Sequence, residues 1–401
     1  MTSDDQVGRS SYVELRRDTA QRSSQANLEP RTTTWTVDAT TQVRYEVAIA
    51  EPLTDPSNRM LLTGGNVPGR RLVVFDEGVP NQWQLRLRSY FETHGVAVEI
   101  VAIPGGESSK SSATYLEIVG VLDAFAVDRR NEPVIVVGGG AVMDAAGFAA
   151  STYRRGVPFL NVPTTLLAWI DASVGIKTAI NYGHRKNLIG TFAAPMAVLL
   201  ERRFLASLPE RELASGMGEV LKLGIGCDYR LFALLEDLPE AVVFDQRFQS
   251  GGLEILLDAI DVMIRELSSN IFEAELCRAI DLGHTFSQAY EMAGRHDALP
   301  HGEAVALDLN ISCSIAQRRG LLTEREVNRV TAVTQKLRLC RAIPELDTRE
   351  LWESLIERTT HRGGRQRVPL PCGLGACVFV NDLTWDELEA ARGDVLDHFG
   401  L

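Results

Sequence analysis

The amino-acid sequence predicts an α/β domain followed by a mainly helical domain. Strand and helix patterns alternate between about residues 70 and 200, as they do where helices cover a parallel sheet. Beyond residue 204 the segments are long and helical, with few runs of β-branched residues. We therefore expect a flexible N-terminal tail over 1–34, the α/β domain over 35–202 and the helical domain over 203–401.

The elements of the α/β domain follow from short apolar runs and from helical spacing. Residues 133–137 read Pro-Val-Ile-Val-Val, a run typical of a strand that is buried on both faces of a parallel sheet. Residues 35–50 alternate enough to form strands. Further strands are predicted over 71–76 and 96–103, and helices over 82–94, 112–125 and 141–151.

Composition and charge argue against several classes of protein. The net charge of −12 disfavours a broad nucleic-acid footprint, although a local basic pocket can still bind a small anion. No apolar run is long enough to span a bilayer and the N-terminus lacks a signal-peptide pattern, so we expect no membrane partner and a cytoplasmic location. The six cysteines include no Cys-x-x-Cys pair, which favours reduced thiols.

A glycine-rich turn suggests a nucleotide site. Gly138, Gly139 and Gly140 follow a predicted strand and precede a helix, where backbone can approach a pyrophosphate at the helix N-terminus. Asp76 ends the first clear strand and could accept hydrogen bonds from ribose hydroxyls. Because the turn is not G-x-G-x-x-G, an ordinary turn and an ordinary loop carboxylate remain alternative interpretations.

Two polar clusters could bind a substrate. Asp171, Lys177, Lys186 and Asn187 interrupt an otherwise apolar region, where charged groups need partners or a ligand. Lysines beside an amide suit a phosphate and hydroxyl groups, whereas the alternative is a pair of ordinary surface lysines. The basic, glycine-rich loop over 361–367 is either a solvated loop or a phosphate clamp.

Two histidines and one glutamate form a candidate metal set. His284 and His301 are 17 residues apart and each is flanked by glycine, as is Glu219 on a predicted helix. Two imidazoles and one carboxylate suit a catalytic divalent metal, typically zinc, with one position open for substrate. A structural role is the alternative for a single histidine, and we assign that role to the other five.

These pieces resemble the sugar phosphate cyclases, the family of dehydroquinate synthase. The resemblance covers nearly the whole chain from about residue 40. The following segments carry it, in order: Gly-Gly-Glu107-Ser-Ser-Lys110-Ser, Gly-Gly-Gly140-x-x-x-Asp144, Ser-Thr-Tyr-Arg-Arg155-Gly, Pro163-Thr-Thr-Leu-Leu, Asp171-x-x-x-x-x-Lys177, Lys186-Asn187-Leu-Ile-Gly, Gly-x-Gly-Glu219-x-x-Lys222, Gly-His284-Thr and His301-Gly-Glu303-Ala-Val. It implies a Rossmann-like NAD-binding domain, a helical metal-binding domain, and a homodimer.

The resemblance also implies residue roles. Glu219, His284 and His301 match ligands of Zn2+ (or Co2+). The matches to NAD+ contacts are Asp76, Glu107, Lys110, Gly139, Gly140, Asp144, Thr164, Thr165, Lys177 and Lys186. The matches to substrate-binding or catalytic positions are Asp171, Lys177, Lys186, Asn187, Lys222 and Asp281. Arg155 matches an arginine that the family lends across the dimer to the phosphate, and Arg265 lies near a position that often holds a substrate-binding lysine.

Three departures from dehydroquinate synthase bear on the substrate. Cys277, seven residues before His284, replaces an arginine that holds the substrate carboxylate in the family. Asp281 replaces an asparagine, and Gln288 replaces a second histidine. A thiol cannot hold a carboxylate as a guanidinium does, so we expect a sugar phosphate without a carboxylate.

The resemblance is greatest to cyclases that use sedoheptulose 7-phosphate, and Asp281 favours those that form 2-epi-5-epi-valiolone. The implied reaction is transient oxidation by NAD+, β-elimination of phosphate, re-reduction and intramolecular aldol cyclisation. Alternative products are 2-epi-valiolone and desmethyl-4-deoxygadusol. Further alternatives are 3-dehydroquinate synthesis, a polyol dehydrogenase of the glycerol dehydrogenase type, and an inactive scaffold.

Overall fold

The computed structural model describes residues 14–17, 35–65, 69–183, 185–244, 248, 252–292, 299–341, 344, 347–360 and 362–399. Their contacts divide the chain into two compact units, 1–45 and 46–401. In the first unit, β1 (Glu14–Arg17) pairs antiparallel with β2 (Trp35–Asp38). Most of the tail expected over 1–34 lies outside the described residues, and residues 14–17 within it form a strand.

A six-stranded parallel sheet forms the first part of the second unit. The strands that follow β2 are β3 (Glu46–Ile49), β4 (Arg70–Asp76), β5 (Ala97–Ile103), β6 (Val134–Gly138), β7 (Phe159–Pro163), β8 (Lys177–Tyr182), β9 (Arg185–Phe192), β10 (Ala197–Leu200), β11 (Val368–Pro371) and β12 (Cys377–Val380). The spatial order of the six-stranded sheet is β3-β10-β7-β6-β4-β5, and every pairing in it is parallel.

Helices cover both faces of this sheet. On one face Val134 and Val136 of β6 pack with residues of the second and third helices, and on the other face Ile135 and Val137 pack with residues of the first helix. The helices are α1 (Gln82–Thr93), α2 (Ser112–Phe125), α3 (Gly140–Thr152), α4 (Glu210–Gly226), α5 (Tyr229–Asp237), α6 (Glu240–Val243), α7 (Gly252–Ser268), α8 (Ser287–Met292), α9 (His301–Arg318), α10 (Glu324–Lys336), α11 (Thr348–Thr360) and α12 (Trp385–Phe399). The Rossmann-like arrangement expected from the sequence is therefore confirmed.

Helices dominate the chain after residue 209, as the sequence predicts. Among the described residues of this part, β11 and β12 form an antiparallel hairpin. No helix in the described ranges is long and apolar enough to cross a membrane. Because residues 46–401 form one compact unit, the domain boundary expected near residue 203 stays a prediction.

The contact between α4 and α9 determines where the candidate metal ligands lie. A Cβ on Gly218 would come within 2.5 Å of the Gly302 carbonyl oxygen, and a Cβ on Gly302 would overlap the Ser215 backbone. The two helix backbones can approach this closely because these positions lack side chains. The approach brings Glu219 on α4 beside His301 at the start of α9.

Candidate active site

Glu219, His284 and His301 lie together, as the sequence predicts. His301 Nε2 lies 3.2 Å from Glu219 Oε1, and His284 Nε2 lies 3.8 Å from the same oxygen. One ligand atom from each residue falls within 4.8 Å of the others. This carboxylate-imidazole set fits a tetrahedral divalent metal with one open position.

Each imidazole is oriented by a different acceptor. His284 Nδ1 lies 3.2 Å from the Leu282 carbonyl oxygen, whereas His301 Nδ1 lies 3.1 Å from Glu291 Oε1. An acceptor at Nδ1 fixes the ring orientation and leaves Nε2 directed toward the shared Glu219 oxygen. Both imidazoles therefore present Nε2 to the same point.

A buried carboxylate supports the turn that follows His284. Asp308 on α9 is fully buried and accepts hydrogen bonds from the backbone N–H groups of Phe286 and Ser287, the second at 2.9 Å. Burial raises the pKa of Asp308 to about 6, although these two N–H donors lower it. The turn is thus attached to the helix that begins with His301.

The electrostatic environments of Glu219, His284 and His301, which we call the triad, differ from one another. Burial opposes the charge on Glu219, but Lys222, His301 and His284 together hold its pKa well below the ordinary value. Burial and Lys222 lower the pKa of His284 to about 4. Burial also disfavours the charged form of His301, yet Glu291 and Glu219 raise its pKa to about 10. Without a metal His284 is therefore neutral and His301 holds a proton, which a metal ion bound at Nε2 would displace.

Lys222 is buried next to the triad and pairs with Glu219. Burial opposes its charge, but Glu219 and Asp171 raise its pKa above the ordinary value. Lys222 therefore stays protonated and supplies a fixed positive charge. Its place beside Glu219 agrees with the substrate-binding or catalytic position expected for Lys222 from the sequence, but that role stays a prediction.

A large cavity of about 960 Å³ adjoins the triad and fits a nucleotide. It is lined by Asp76, Gly105, Gly106, Glu107, Gly139, Gly140, Thr164, Thr165, Lys186, Glu291 and His301, among others. A Cβ on Gly105 would overlap Asp76 Oδ1, and one on Gly139 would lie 3.1 Å from Thr165 Cγ2. The lack of side chains at Gly105 and Gly139 thus lets Asp76 and Thr165 lie against the backbone at the strand ends.

Asp76 is held in place by backbone donors of this cavity. Gly78 N donates to Oδ1 at 2.8 Å, and Gly139 N donates to Oδ2 at 3.2 Å. The carboxylate thus lies between the end of β4 and the glycine turn. A carboxylate in this position can accept hydrogen bonds from a ribose, as the sequence suggests.

A smaller cavity of about 290 Å³ connects the nucleotide region with the triad. Lys110 Nζ in its wall pairs with Asp144 Oδ2 at 2.5 Å and also contacts Asn187 Oδ1. Burial raises the pKa of Asp144 to about 6, although Lys110 lowers it. The residues expected to bind NAD+, substrate or metal that line this cavity are Glu107, Lys110, Gly140, Asp144, Asp171, Lys186, Asn187, His284 and His301.

The roles expected for four further residues stay predictions. The exposed Lys177 pairs with Glu273, and Arg265 pairs with Asp228 at 2.7 Å. Arg155 is exposed, with a positive φ of 67°. Asp281 is buried among arginines. None of these four residues appears in the described lining of either cavity.

Asp281 binds three guanidinium groups. Arg358 Nη2 and Arg362 Nη1 each lie 3.0 Å from Oδ2, and Arg278 contacts Oδ1. Burial opposes ionisation, but Arg358, Arg278 and Arg362 together hold the pKa of Asp281 below its ordinary value. Arg362 belongs to the basic loop over 361–367, so this loop is anchored through Asp281. His361 lies outside the described residues.

Sequence reasoning missed two residues of the site. Glu291 lines both cavities and contacts His301 and Lys186. Asn181 donates to Glu107 Oε1 at 2.8 Å and accepts from Asn187 N at 2.8 Å. A metal-bound histidine commonly has a carboxylate partner, but the sequence could not indicate which of 53 acidic residues would serve.

A glycine-lined cavity at the ends of parallel strands, next to a carboxylate-imidazole triad, defines an enzyme class that combines a nucleotide cofactor with a divalent metal. Residues 100–215 match the family described as 3-dehydroquinate synthase N-terminal, and residues 216–359 match 3-dehydroquinate synthase C-terminal. The chain belongs to the 3-dehydroquinate synthase family. The resemblance inferred from the sequence motifs is thereby confirmed.

Individual relatives are similar over most of their length. A 2-epi-5-epi-valiolone synthase of Streptomyces albus is 43% identical over 367 residues, which cover 89% of this chain and 89% of that protein. The structure of ValA (2-epi-5-epi-valiolone synthase) from Streptomyces hygroscopicus subsp. jinggangensis, with NAD+ and Zn2+ bound, is 39% identical. It has a TM-score of 0.86 and covers 90% of this chain and 99% of that chain.

A third comparison concerns another cyclase of known structure. A 2-deoxy-scyllo-inosose synthase complexed with carbaglucose-6-phosphate, NAD+ and Co2+ is 25% identical, with a TM-score of 0.74 over 87% of this chain and 96% of that chain. NAD+ with Zn2+ or Co2+ is therefore the cofactor pair bound in these relatives, and it is the pair expected from the sequence.

Proposed function

We propose that this protein is a sugar phosphate cyclase that converts sedoheptulose 7-phosphate to 2-epi-5-epi-valiolone with release of phosphate. The observation that carries the proposal is the set of Glu219, His284 and His301 at the junction of two cavities that Lys186 also lines. The similarity to 2-epi-5-epi-valiolone synthases over 89% of the chain supports the substrate and product.

Residues of this chain can hold both cofactors. Glu219, His284 and His301 would bind the metal, and Asp76 with the glycine turn would bind NAD+. When bound, these groups supply reversible hydride transfer at one carbon and polarisation of the oxygen on that carbon. No net NADH accumulates in such a cycle, because the hydride that leaves the substrate is returned to it.

Positive charge around the small cavity suits the elimination of phosphate. Lys222 stays protonated beside Glu219, so it stabilises negative charge on a substrate oxygen and does not serve as the base. Lys186 and Lys110 line the same cavity and can neutralise phosphate oxygens. Asp171 and Asn187 can orient sugar hydroxyls, and the phosphate itself can remove the acidified proton.

We also propose a homodimer in which Arg155 acts on the partner's phosphate site. Arg155 is exposed and lies outside the described lining of both cavities of its own chain, which is compatible with a role in another subunit. The hairpin of β8 and β9 exposes Leu188 and Phe192, two apolar side chains that a second copy could cover. The expected cytoplasmic location stays a proposal, which cell fractionation would test.

The test of the proposed reaction is an incubation with sedoheptulose 7-phosphate, NAD+ and Zn2+ or Co2+. Phosphate release, a 2-epi-5-epi-valiolone spectrum by NMR and no net change in NADH absorbance are expected. Formation of a different cyclitol would support the proposed mechanism and contradict the proposed product. Net NADH formation would indicate a polyol dehydrogenase, and phosphate release only from the dehydroquinate precursor would contradict the interpretation of Cys277.

A further inference from the structure

Glu291 on α8 connects two parts of the site that are far apart in sequence. Its side chain is 10% exposed, and each of its two carboxylate oxygens has its own partner. Oε1 lies 3.1 Å from His301 Nδ1, and Oε2 lies 2.7 Å from Lys186 Nζ. The first partner begins α9, and the second lies on β9.

The contact with His301 bears on metal binding. A hydrogen bond from Nδ1 to a carboxylate fixes the imidazole tautomer and makes Nε2 a stronger ligand. Nε2 of the same ring lies 3.2 Å from Glu219 Oε1, at the centre of the triad. His284 provides the comparison within the same site, because the neutral Leu282 carbonyl faces its Nδ1. The hydrogen bond at Nδ1 is therefore stronger for His301, whose acceptor is a carboxylate, than for His284, whose acceptor is a neutral carbonyl.

The contact with Lys186 bears on the organic ligands. Lys186 lines both cavities, and its ammonium group lies 3.8 Å from Glu107 Oε1 in addition to its bond with Glu291. A lysine side chain has several rotatable bonds, so an ion pair that is largely buried restricts where the ammonium group can lie. Because Glu291 also contacts His301, it fixes the position of the Lys186 ammonium group relative to the His301 imidazole.

We propose that Glu291 is a positioning residue that couples the metal ligand His301 to the cavity lysine Lys186 through one carboxylate. This inference rests on the proposed metal site and substrate cavity. Metal binding would align the Lys186 ammonium group, and a ligand on Lys186 would steady the His301 imidazole. Glu291 itself does not need to touch the reacting atoms.

The metal arm of the test does not need a substrate. Glu291→Gln keeps the shape of the side chain and removes its charge, while Lys186→Met removes the other partner and leaves the Glu291–His301 contact. Zn2+ affinity is measured by competition with a chromogenic chelator, and the Co2+-loaded protein is compared by its visible absorption spectrum. We expect Glu291→Gln to weaken metal binding about 10- to 100-fold and to shift the cobalt spectrum.

The controls distinguish positioning from a general loss of structure. Lys186→Met should weaken Zn2+ binding less than Glu291→Gln does, because it leaves the Glu291–His301 contact, and Glu291→Asp should recover part of the affinity lost in Glu291→Gln. Thermal unfolding of each variant establishes that it is folded. Unchanged Zn2+ affinity and a superimposable cobalt spectrum in folded Glu291→Gln would overturn the proposal, whether or not the enzyme uses sedoheptulose 7-phosphate.

The coupling itself is tested by a double-variant cycle. If one carboxylate links the two residues, the effects of Glu291→Gln and Lys186→Met on KM will not multiply in the double variant. Independent, multiplicative effects would contradict the coupling. A failure of the proposed reaction would appear differently, as a lack of phosphate release in the unmodified enzyme with normal metal affinity.

Discussion

Asp281 and Arg358 form an ion pair in which Oδ2 and Nη2 lie 3.0 Å apart, and Arg358 also donates to the main-chain oxygen of His284. Asp281 precedes His284 by three residues, so the pair supports the turn from outside the cavities. The family resemblance implies a substrate-binding or catalytic position for Asp281, and that role stays a prediction. Its observed partners are Arg278, Arg358 and Arg362.

We expect Asp281→Asn to lower the free energy of unfolding by about 3 kcal/mol, because it leaves three guanidinium groups around a neutral amide. Urea unfolding at pH 7 measures this change. Asp382→Asn is the control, since Asp382 pairs with Arg319 while its side chain is 78% exposed. The control should lose no more than about 1 kcal/mol. Equal losses in the two variants would contradict a special role for Asp281.

The same ion pairs predict a pH dependence. The pKa of Asp281 is lower in the folded protein than in the unfolded chain, where it is about 4. Its contribution is therefore present above about pH 4 and is lost as the pH falls toward the folded-state value. Unfolding curves of the unmodified protein and Asp281→Asn should stay separated from pH 7 to 5 and converge below about pH 4. A constant separation throughout would disprove this explanation.

A side chain at Gly105 is expected to weaken NAD+ binding. A Cβ at this position would overlap Asp76 Oδ1, so Gly105→Ala should displace the carboxylate and weaken NAD+ binding about tenfold or more. Gly120→Ala is the matched control, because a Cβ there meets open space within α2 and alanine favours helix. Isothermal titration with NAD+ measures both variants. Similar NAD+ affinities in the two would show that the cavity at Gly105 is not the nucleotide site.

Removal of any triad side chain should remove the metal. His284→Ala, His301→Ala and Glu219→Ala are each expected to reduce zinc content from about one ion per chain to near zero and to abolish phosphate release. Elemental analysis of dialysed protein provides the measurement. His398→Ala on α12 serves as the control, since this imidazole is exposed and outside the triad. An active, metal-free variant would refute the ligand assignment.

The proposed action of Arg155 across a dimer predicts complementation between two inactive variants. Arg155→Ala lacks the donated arginine and Glu219→Gln lacks a metal ligand, so only mixed dimers contain an intact site. Random reassociation of equal amounts should restore about a quarter of the unmodified activity. Arg154→Ala is the control, because Arg154 contacts Tyr153 and Asp123 of its own chain. No recovery from verified mixed dimers would contradict action in trans.

Much of the fold was predictable from local pattern. The apolar run over 133–137 corresponds to β6 (Val134–Gly138), which is buried throughout, and the glycine turn precedes α3 (Gly140–Thr152) as expected. These predictions succeed because an all-apolar strand and a strand-to-helix turn depend mainly on neighbouring residues. The triad was also predictable, because two histidines and a glutamate flanked by glycine indicate metal binding from residue type alone, before the distances between them are known.

What only the tertiary structure decided is the environment of each charged side chain. Glu219 and His301 are 82 residues apart and meet because Gly218 and Gly302 let α4 and α9 approach closely. Lys177 and Lys186 appeared equivalent in sequence, yet the first pairs with Glu273 while the second lines both cavities. Residue type determined which groups could ionise or bind a metal. Helix packing determined which of them met, because electrostatic and metal-ligand interactions depend on distances of a few ångströms.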